Sequence, residues 1–450
     1  MDVLGVCPTE VGDRLDLARE QPLGIAYVMN YAIRNGHNAN LVYRSPTNEE
    51  INNAEVIALS LLTKDVPSGL DILRRAKELN PNIKTVIGGH HISGDKSLVL
   101  EDCVDFGVVG EGEETFVELL SQIENRGDVE NVEGIIYKRN GVLKETPSRG
   151  LIELDGLRPL RDSDFDGFRD NTFYSPAPSE RRFVPLIGTR GCTKGCEFCT
   201  AELVWGKSIR YRSPQDIEKE IQDNLRDSKT DIFFFDDENI LHTPKKARPI
   251  LENLIGKGYN LGSCGDIRTM STEMANLMGS AGYTHVYWGV ESVNPSILSR
   301  EKRGSDIQKV RQVLSMFEEI GISNIGMIMM GFDYETEEDI LKTAEELPTY
   351  PIHQLRLSIA TPFPGTPFYH RLKKDGTEFD PDFSKWDTGH LVYGHPSISP
   401  ERMQELHHEI VTSFYKSPQW DRRMTIFSSQ HPRMKKSVDE FRSYVSEYLS

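Results

Sequence analysis

The sequence is short of cysteines, long apolar runs and basic residues, and each shortage excludes a class of protein. Six cysteines in 450 residues are too few for a disulfide framework. No stretch reaches the roughly 20 apolar residues that a membrane-spanning helix needs, and the opening residues lack the charged start and apolar core of a signal peptide. A net charge of −17 argues against a surface that tracks nucleic acid. We therefore expect a cytoplasmic protein with no membrane or nucleic-acid partner.

Three of the six cysteines stand in one short segment, where Cys192, Cys196 and Cys199 have the spacing C-x3-C-x2-C. An apolar run at 183–188, typical of a buried strand, comes before them. A loop this short can turn three thiolates toward one centre, and cysteine thiolates hold iron–sulfur clusters, usually four to a cluster. Three ligands would leave one iron of a cubane open to another molecule. The alternatives are a zinc knuckle or incidental cysteines, but zinc sites come in paired halves and no second half lies nearby.

This cysteine spacing resembles that of the radical S-adenosylmethionine (radical SAM) enzymes. The resemblance implies a [4Fe–4S] cluster on the three cysteines, whose open iron chelates the amino and carboxylate groups of S-adenosylmethionine. An electron from the cluster then splits the sulfonium to give a 5′-deoxyadenosyl radical. The resemblance also implies a small-molecule substrate and an electron donor such as flavodoxin or ferredoxin.

Before the cysteines, residues 1–148 alternate short apolar runs with amphipathic stretches, which predicts a doubly wound α/β sheet of the Rossmann type. Glycines and small residues follow the predicted strands, where such sheets bind ligands. The segments around Ser60, Gly88-Gly89 and 109–115 resemble the cobalamin-binding domain that precedes many radical SAM domains. In that domain Ser60, Gly88 and Gly89 would pack the nucleotide tail of cobalamin. Ordinary tight turns are the alternative explanation of these glycines.

One departure concerns the cobalt ligand. Mutase-type cobalamin domains carry Asp-x-His-x-x-Gly after the first strand, and the corresponding loop at 8–14 has no histidine. Many radical SAM relatives lack it too, so cobalamin remains a possible cofactor. His90 and His91 follow the double glycine and could offer a ligand, although two histidines in a polar loop are more often solvated.

From residue 183 onward, six apolar runs alternate with helical patterns, which predicts a partial (β/α)6 TIM-type barrel with its chemistry at the carboxyl ends of the strands. We therefore expect an α/β fold in four parts. These are a cobalamin-binding-like Rossmann domain at 1–148, a linker at 149–182, a radical SAM barrel at 183–371 and a mostly helical C-terminal region at 372–450.

The resemblance assigns cofactor contacts to residues in the cysteine loop and at the predicted strand ends, although ordinary polar strand ends are the alternative. Phe198 would pack near the adenine. The acids after the second strand would bind the amino group, since neighbouring carboxylates need a cation. Glu291 and Ser292 would contact the ribose, and Arg303 the carboxylate. The cofactor contacts proposed in the barrel are Phe198, Asp236, Asp237, Glu238, Arg268, Glu291, Ser292 and Arg303.

Two further residues are candidates for the reaction itself. Cys264 follows the third barrel strand and could donate a hydrogen atom, although a buried free cysteine is commonly inert. Asp266 could bind an amine or a hydroxyl, and Arg268 beside it could hold a carboxylate in bidentate fashion.

Two outcomes of the radical step compete. In the first, cobalamin delivers a methyl group to an unactivated carbon. In the second, which the sequence favours, the radical leads to dehydration or redox conversion of a small polar metabolite, such as an amino sugar or a diol. The missing cobalt-binding histidine, the short C-terminal region and the acidic barrel rim favour this lyase or oxidoreductase. A non-catalytic binding module is disfavoured because the cysteine triad is complete.

Overall fold

The computed structural model describes residues 1–8, 23–160, 183–228, 232–300 and 306–449. The N-terminal domain is a seven-stranded sheet in the order β2-β1-β3-β4-β5-β6-β7, with helices on its faces. Its strands are β1 (Asp2–Val6), β2 (Asn38–Val42), β3 (Val56–Ser60), β4 (Lys84–Gly88), β5 (Phe106–Val108), β6 (Ile135–Arg139) and β7 (Val142–Glu145). Its helices are α1 (Leu23–Arg34), α2 (Asn48–Asn53), α3 (Val66–Leu79), α4 (His90–Gly94) and α5 (Glu113–Glu124).

The first five strands of this sheet run parallel, and β6 and β7 form an antiparallel hairpin at its edge. Asn140 and Gly141 make the hairpin turn and both have positive φ, 53° and 75°, as a two-residue hairpin turn requires. The order 2-1-3-4-5 is that of a doubly wound sheet, which binds ligands beyond the carboxyl ends of its strands. The predicted Rossmann-like domain is therefore confirmed.

The second sheet has six parallel strands in the order β15-β14-β13-β12-β11-β8, each joined to the next through at least one helix. Its strands are β8 (Phe183–Leu186), β11 (Ile232–Phe235), β12 (Asn260–Gly265), β13 (Tyr283–Glu291), β14 (Ser323–Met330) and β15 (Gln354–Ile359). A two-stranded ribbon, β9 (Thr189–Arg190) with β10 (Arg210–Tyr211), stands at its mouth. The helices are α6 (Ala201–Trp205), α7 (Pro214–Ser228), α8 (Pro244–Leu254), α9 (Thr272–Ala281), α10 (Pro295–Arg300), α11 (Ile307–Glu319), α12 (Glu337–Glu346) and α13 (Pro367–Lys374).

Successive side chains along the barrel strands point alternately to the core between strands and helices and to the interior of the barrel. We call the interior side chains the inner wall. On β11, Phe233 and Phe235 pack outward in the main core, whereas Ile232 and Phe234 point inward with Tyr287. This is the period of two that a strand imposes on its side chains. The inner wall carries the side chains that face the interior of the barrel, where substrates of such folds bind.

The C-terminal helices α14 (Pro400–Tyr415), α15 (Pro418–Gln430) and α16 (Lys435–Tyr448) close one side of the barrel. Trp420, Phe427 and Phe441 are buried in the same continuous core as the barrel helices. The predicted helical C-terminal region is confirmed, and it packs as part of the barrel. Within the described part of the chain, no helix is both long and apolar enough to cross a membrane.

The predicted linker begins as a packed segment. Ile152, Leu154 and Leu157 are buried together with Leu23 and Tyr27 of α1. This small core joins the first helix of the N-terminal domain to the barrel. Residues 161–182 of the linker, like residues 9–14 of the loop expected after β1, lie outside the described residues.

Candidate active site

The cysteine loop leaves the barrel at β9 and returns to the paired strand β10, so its base is held by an antiparallel ribbon. Gly191 begins the loop with φ +101°, and a Cβ atom there would lie 1.9 Å from the carbonyl oxygen of Ser208. Only glycine fits this conformation and this approach. The Cys199 N–H donates to the carbonyl of Cys196 at 3.1 Å, which closes the turn between the last two thiols.

The three thiols lie close enough for the charge of one to change the pKa of another. Desolvation, followed by the charges of Cys196 and Cys192, raises the pKa of Cys199 to about 11. Across the described ranges no three His, Cys, Asp or Glu side chains converge tightly enough to hold a single metal ion. A [4Fe–4S] cube carries its thiolates on separate corners, and iron deprotonates a thiol that binds it. The positions of the three thiols are compatible with the cluster that their spacing predicts.

A clamp on the cysteine loop comes from the other side of the barrel. The guanidinium of Arg371, on α13, lies 2.8 Å from Glu197 and 2.5 Å from Asp333. The backbone N–H of Phe368 donates to the Glu197 carbonyl at 2.9 Å. Neither Arg371 nor Glu197 was singled out from the sequence, because their pairing joins positions 174 residues apart.

Phe198 packs between the cysteine loop and the end of β14. Its ring lies 6.1 Å from that of Phe332, which follows β14, and it sits partly buried against the main core. Its aromatic ring is therefore held at the carboxyl edge of the barrel, beside the last cysteine. The adenine contact proposed for it stays a prediction.

The three acids after β11 have different environments. Asp237 is buried, and its Oδ1 accepts the N–H groups of Gly188 at 2.8 Å and Thr189 at 3.0 Å. Burial raises the pKa of Asp237 to about 8, while its Oδ2 has no hydrogen-bond partner. Asp236 and Glu238 are half-buried, and the charge of Glu238 acts on the nearby thiols. Asp236 and Glu238 are thus better placed than Asp237 to meet a cofactor.

At the end of β12, Asp266 is held by two cations. Arg268 lies 2.7 Å from its carboxylate and Lys194, in the cysteine loop, lies 3.1 Å away. Burial opposes ionisation, but the hydrogen bonds from Arg268 lower the pKa of Asp266 to about 2. Asp266 also accepts the backbone N–H of Arg268 at 2.9 Å. The structure brings these residues to the cysteine loop, as an ion-paired group.

Cys264 points into the barrel, half-buried beside Met327 and the inward rings of Phe234 and Tyr287. Arg356, on β15, reaches the Tyr287 hydroxyl at 3.3 Å and stacks over that ring. The inner wall is therefore apolar, with a thiol and a guanidinium within it.

Glu291 ends β13 in an unusual conformation. Its φ is +62° although it is not glycine, and its side chain is almost fully buried. The strand pairing also shifts register between Gly289 and Glu291. Non-glycine residues in this region concentrate at functional sites because the conformation is costly. Ser292 follows and accepts the Asn294 N–H at 3.0 Å, whereas Arg303 lies outside the described residues.

A cavity of about 110 Å³ opens at the carboxyl edge of the N-terminal sheet. Ser60, Gly88 and Gly89 line it, as the sequence predicted for the cobalamin tail. Gly89 has φ +94°, and a Cβ there would lie 2.9 Å from the backbone of Leu61. The absence of side chains at Gly88 and Gly89 keeps the backbone open to close approach by an inserted group, as the predicted cobalamin tail requires.

His90 and His91 have separate surroundings. His90 lines the cavity, and its Nδ1 lies 2.9 Å from the hydroxyl of Thr200, next to Cys199. His91 is buried on the other side of α4, where its Nδ1 lies 3.2 Å from the Thr63 hydroxyl. Burial lowers the pKa of both imidazoles. His90 therefore links the cavity to the cysteine loop, and His91 packs in the domain core.

The cavity wall nearest the barrel is charged. Arg190 of β9 is buried against two carboxylates, Glu111 of the loop after β5 at 2.9 Å and Glu113 at the start of α5 at 2.6 Å. Arg210 of β10 reaches Glu111 at 2.8 Å. All but Arg210 line the cavity. No local sequence pattern indicates this group, because its ion pairs join residues at least 77 positions apart.

With this geometry in place, the comparisons with known proteins identify the class. The sequence model of the radical SAM superfamily matches residues 186–347, and that of the B12 binding domain matches residues 18–120. The chain carries a radical SAM domain preceded by a B12-binding domain. The cofactors that these domains imply are a [4Fe–4S] cluster, S-adenosylmethionine and cobalamin. A protein of this class acts on a small molecule and needs a reductant.

Several relatives are named methyltransferases. An uncharacterized methyltransferase of Pyrococcus horikoshii is 25% identical over 411 residues, 88% of either chain. The bacteriochlorophyllide d C-12(1)-methyltransferase of Chlorobaculum tepidum is 30% identical over 263 residues, 57% of either chain. The hopanoid C-3 methylase of Methylococcus capsulatus is 26% identical over 427 residues, 90% of this chain and 79% of the relative. Anaerobic magnesium-protoporphyrin IX monomethyl ester cyclases match at 24–25% identity.

Solved structures show the same fold. The radical SAM methyltransferase TsrM of Kitasatospora setae, with cobalamin and a [4Fe–4S] cluster bound, superposes with a TM-score of 0.73 at 16% identity, over 94% of this chain and 90% of its own. The cobalamin-dependent radical enzyme OxsB, with aqua-cobalamin and S-adenosylmethionine bound, gives 0.68 at 14% identity, over 100% of this chain and 79% of its own.

These relatives overturn one expectation. The predicted lyase or oxidoreductase acting on a polar metabolite is wrong, since the relatives are methyltransferases and cyclases. That prediction relied on an acidic barrel rim. In the structure Asp266 and Asp333 are neutralised by arginines, and Asp237 caps backbone N–H groups. These three acids hold the site together, so the number of acids at the rim does not indicate a polyhydroxylated or amine-bearing substrate.

Proposed function

We propose that this protein is a cobalamin-dependent radical SAM methyltransferase acting on an unactivated carbon. The observation that carries the proposal is the position of the cavity in the N-terminal domain. Val204 and Trp205, from the helix that follows the cysteine loop, line it opposite Ser60 and Gly88. A cobalamin tail in this cavity would bring the cofactor up against the loop of the cluster.

The site residues divide by the group they would hold. Cys192, Cys196 and Cys199 would ligate the cluster, and Ser60, Gly88 and Gly89 would enclose the cobalamin tail. The residues proposed for S-adenosylmethionine are Phe198, Asp236, Glu238, Glu291, Ser292 and Arg303. Arg268 is committed to Asp266 at 2.7 Å, so we propose that both position Lys194 in the cysteine loop.

When bound, the cluster and S-adenosylmethionine supply a 5′-deoxyadenosyl radical that abstracts hydrogen, and cobalamin supplies the methyl group. Each methylation would consume two molecules of S-adenosylmethionine and two electrons, and would release S-adenosylhomocysteine, 5′-deoxyadenosine and methionine. The inner wall of the barrel would hold the reacting carbon. Its thioether, thiol and aromatic side chains suit an apolar part of a substrate and exclude water.

The electron donor would be a flavodoxin or ferredoxin in a reducing compartment such as the cytoplasm, because a cluster with an open iron is sensitive to oxygen. The net charge of −17 disfavours nucleic acid as a partner. We likewise propose that no membrane partner is involved.

The experiment is an anaerobic reconstitution with iron and sulfide, followed by S-adenosylmethionine, reductant and hydroxocobalamin. The expected products are 5′-deoxyadenosine and S-adenosylhomocysteine. The Cys196→Ala variant should lose the cluster and the 5′-deoxyadenosine, whereas Cys103→Ala, altered in the core of the N-terminal domain, should keep both. Wild-type enzyme that forms neither nucleoside product would overturn the proposal.

Cyclase relatives support a second candidate, a ring closure in the substrate that begins with the same 5′-deoxyadenosyl radical and involves no methyl transfer. This candidate predicts 5′-deoxyadenosine without S-adenosylhomocysteine in the same assay. Equal amounts of the two products in the presence of the substrate would decide for methyl transfer.

A further inference from the structure

Arg190 connects the two cofactor domains through a single side chain. It belongs to β9, two residues before Cys192, yet its guanidinium binds Glu111 and Glu113 of the N-terminal domain at 2.9 and 2.6 Å. Its side chain is 2% exposed, and those of the two glutamates are 6% and 3% exposed. The contact is therefore buried on both sides of the boundary between the domains.

The charges in this group balance. Arg190 and Arg210 face Glu111 and Glu113, and the second oxygen of Glu111 also accepts the backbone N–H of Ile152 at 3.0 Å. A buried charge without its partner costs several kcal/mol. A shift of the barrel against the N-terminal domain would therefore leave these charges without their partners.

Aromatic rings fix the guanidinium from both domains. It lies 5.2 Å from the ring centre of Tyr27, on α1, and 4.9 Å from that of Trp205, on α6. Cation–π contacts of this kind strengthen when they are desolvated. Trp205 and Arg190 both line the cavity proposed for cobalamin, so a molecule that enters the cavity touches the group directly.

Along the chain, Arg190 directly precedes Gly191, the first residue of the cysteine loop. Gly191 is locked by its φ of +101° and by the Ser208 carbonyl. Its N–H donates to Glu238, whose charge acts on Cys192 and Cys199. A displacement of Arg190 would therefore move the loop that holds the thiols.

We infer that Arg190 is a positioning residue that sets the cysteine loop at a fixed distance from the cobalamin cavity, so that cobalamin in the cavity alters the surroundings of the cluster. This inference rests on the proposed function, because cobalamin is its ligand. It adds that binding at one cofactor site changes the other, and such coupling is reciprocal.

The test uses the full chain with a reconstituted cluster and no substrate. Hydroxocobalamin is titrated by quenching of tryptophan fluorescence, and the reduced cluster is examined by electron paramagnetic resonance and redox titration, each with and without hydroxocobalamin. In the wild type, cobalamin should shift the spectrum or the potential. In Arg190→Gln, cobalamin affinity should fall at least about tenfold and the shift at saturating cobalamin should disappear.

Two further variants test the same inference if Arg190→Gln folds poorly. Glu113→Gln retains the shape and leaves Arg190 one carboxylate, so it should reduce the shift at a smaller cost in stability than Arg190→Gln. Arg190→Lys keeps the positive charge but lacks the forked guanidinium that reaches both carboxylates. This variant should therefore show part of the cobalamin-induced shift that Arg190→Gln loses. The matched control is Arg149→Gln, which loses contacts to Glu118 and Glu114 elsewhere in the N-terminal domain and should behave as wild type.

The outcomes separate the two proposals. A wild type that binds no hydroxocobalamin would overturn the proposed function. A wild type that binds it with no change at the cluster, or an Arg190→Gln variant whose shift equals that of the wild type, would overturn the role of Arg190. Lower iron content and lower stability with an unchanged shift would show a merely structural role and would also overturn it.

Discussion

Arg371, on a helix that follows the last barrel strand, lies 2.8 Å from Glu197 inside the cysteine loop. The same guanidinium lies 2.5 Å from Asp333 after β14. One side chain thus joins the last part of the barrel to the loop proposed to bind the cluster.

We expect Arg371→Ala to lower the iron retained after reconstitution, because the loop loses its clamp, and to reduce stability by about 1–3 kcal/mol, as loss of a charge-assisted hydrogen bond does. Iron analysis and thermal unfolding measure the two effects. Arg248→Ala is the control, since it removes exposed ion pairs on the barrel surface. Full iron retention in Arg371→Ala would contradict the clamp.

Asp237→Asn should change how stability depends on pH. Burial raises the pKa of Asp237 to about 8, so the folded protein holds this proton more tightly than the unfolded chain. The contribution is therefore full below the unfolded pKa near 4 and is lost as the pH rises toward 8, by at most about 1.4 kcal/mol per pH unit.

Asparagine keeps the Oδ1 acceptor and cannot ionise, so the Asp237→Asn variant should lose less stability than the wild type between about pH 5 and 8. Denaturant unfolding at several pH values measures this. Asp71→Asn, at a side chain that is 77% exposed, should leave the pH profile unchanged. Parallel profiles for wild type and Asp237→Asn would rule out the buried proton.

Gly191→Ala should prevent correct formation of the cysteine loop. Its Cβ would lie 1.9 Å from a backbone oxygen, in addition to the strain of φ +101°. Gly195→Ala isolates the strain, since Gly195 has φ +60° and open space around it, and should cost about 1–2 kcal/mol. Gly150→Ala, with neither constraint, should be neutral. Iron content and thermal unfolding should show the largest loss for Gly191→Ala, a smaller loss for Gly195→Ala and none for Gly150→Ala.

Gly88→Leu should block the cobalamin cavity while sparing the cluster. A Cβ at Gly88 meets nothing closer than 3.8 Å, so the backbone tolerates it and the rest of the side chain can fill the cavity. Hydroxocobalamin binding should fall at least about tenfold, with unchanged iron content. A variant that binds cobalamin like the wild type would place the cofactor elsewhere.

Cys264→Ala should retain 5′-deoxyadenosine and S-adenosylhomocysteine formation within a few-fold of wild type. Transfer of a methyl group resolves the substrate radical, so a hydrogen-donating thiol is not required. Product analysis by chromatography measures both nucleosides, with Cys264→Ser as the polar comparison. Loss of 5′-deoxyadenosine in both variants, with iron retained, would establish an essential thiol.

Much of the fold could be predicted from local patterns in the sequence. The six barrel strands follow the six apolar runs of the sequence, because a period of two and the flanking glycines are present in short segments. The order of the strands in each sheet was not predicted from the sequence. The partners of the acids were not predictable in this way. Asp266 was proposed to bind an amine or a hydroxyl, but in the structure it is paired with Arg268 and with Lys194 of another loop.

The sequence by itself determined the cysteine spacing, the glycines of the cavity and the two α/β domains, because each depends on neighbours in the chain. Only the tertiary structure decided that Arg190 meets Glu111 and Glu113, that Arg371 meets Glu197, and that Asp237 caps a turn. These contacts join residues 48 to 174 positions apart. Periodicity does not record such pairings, since they arise only when the strands bring their carboxyl ends to one edge.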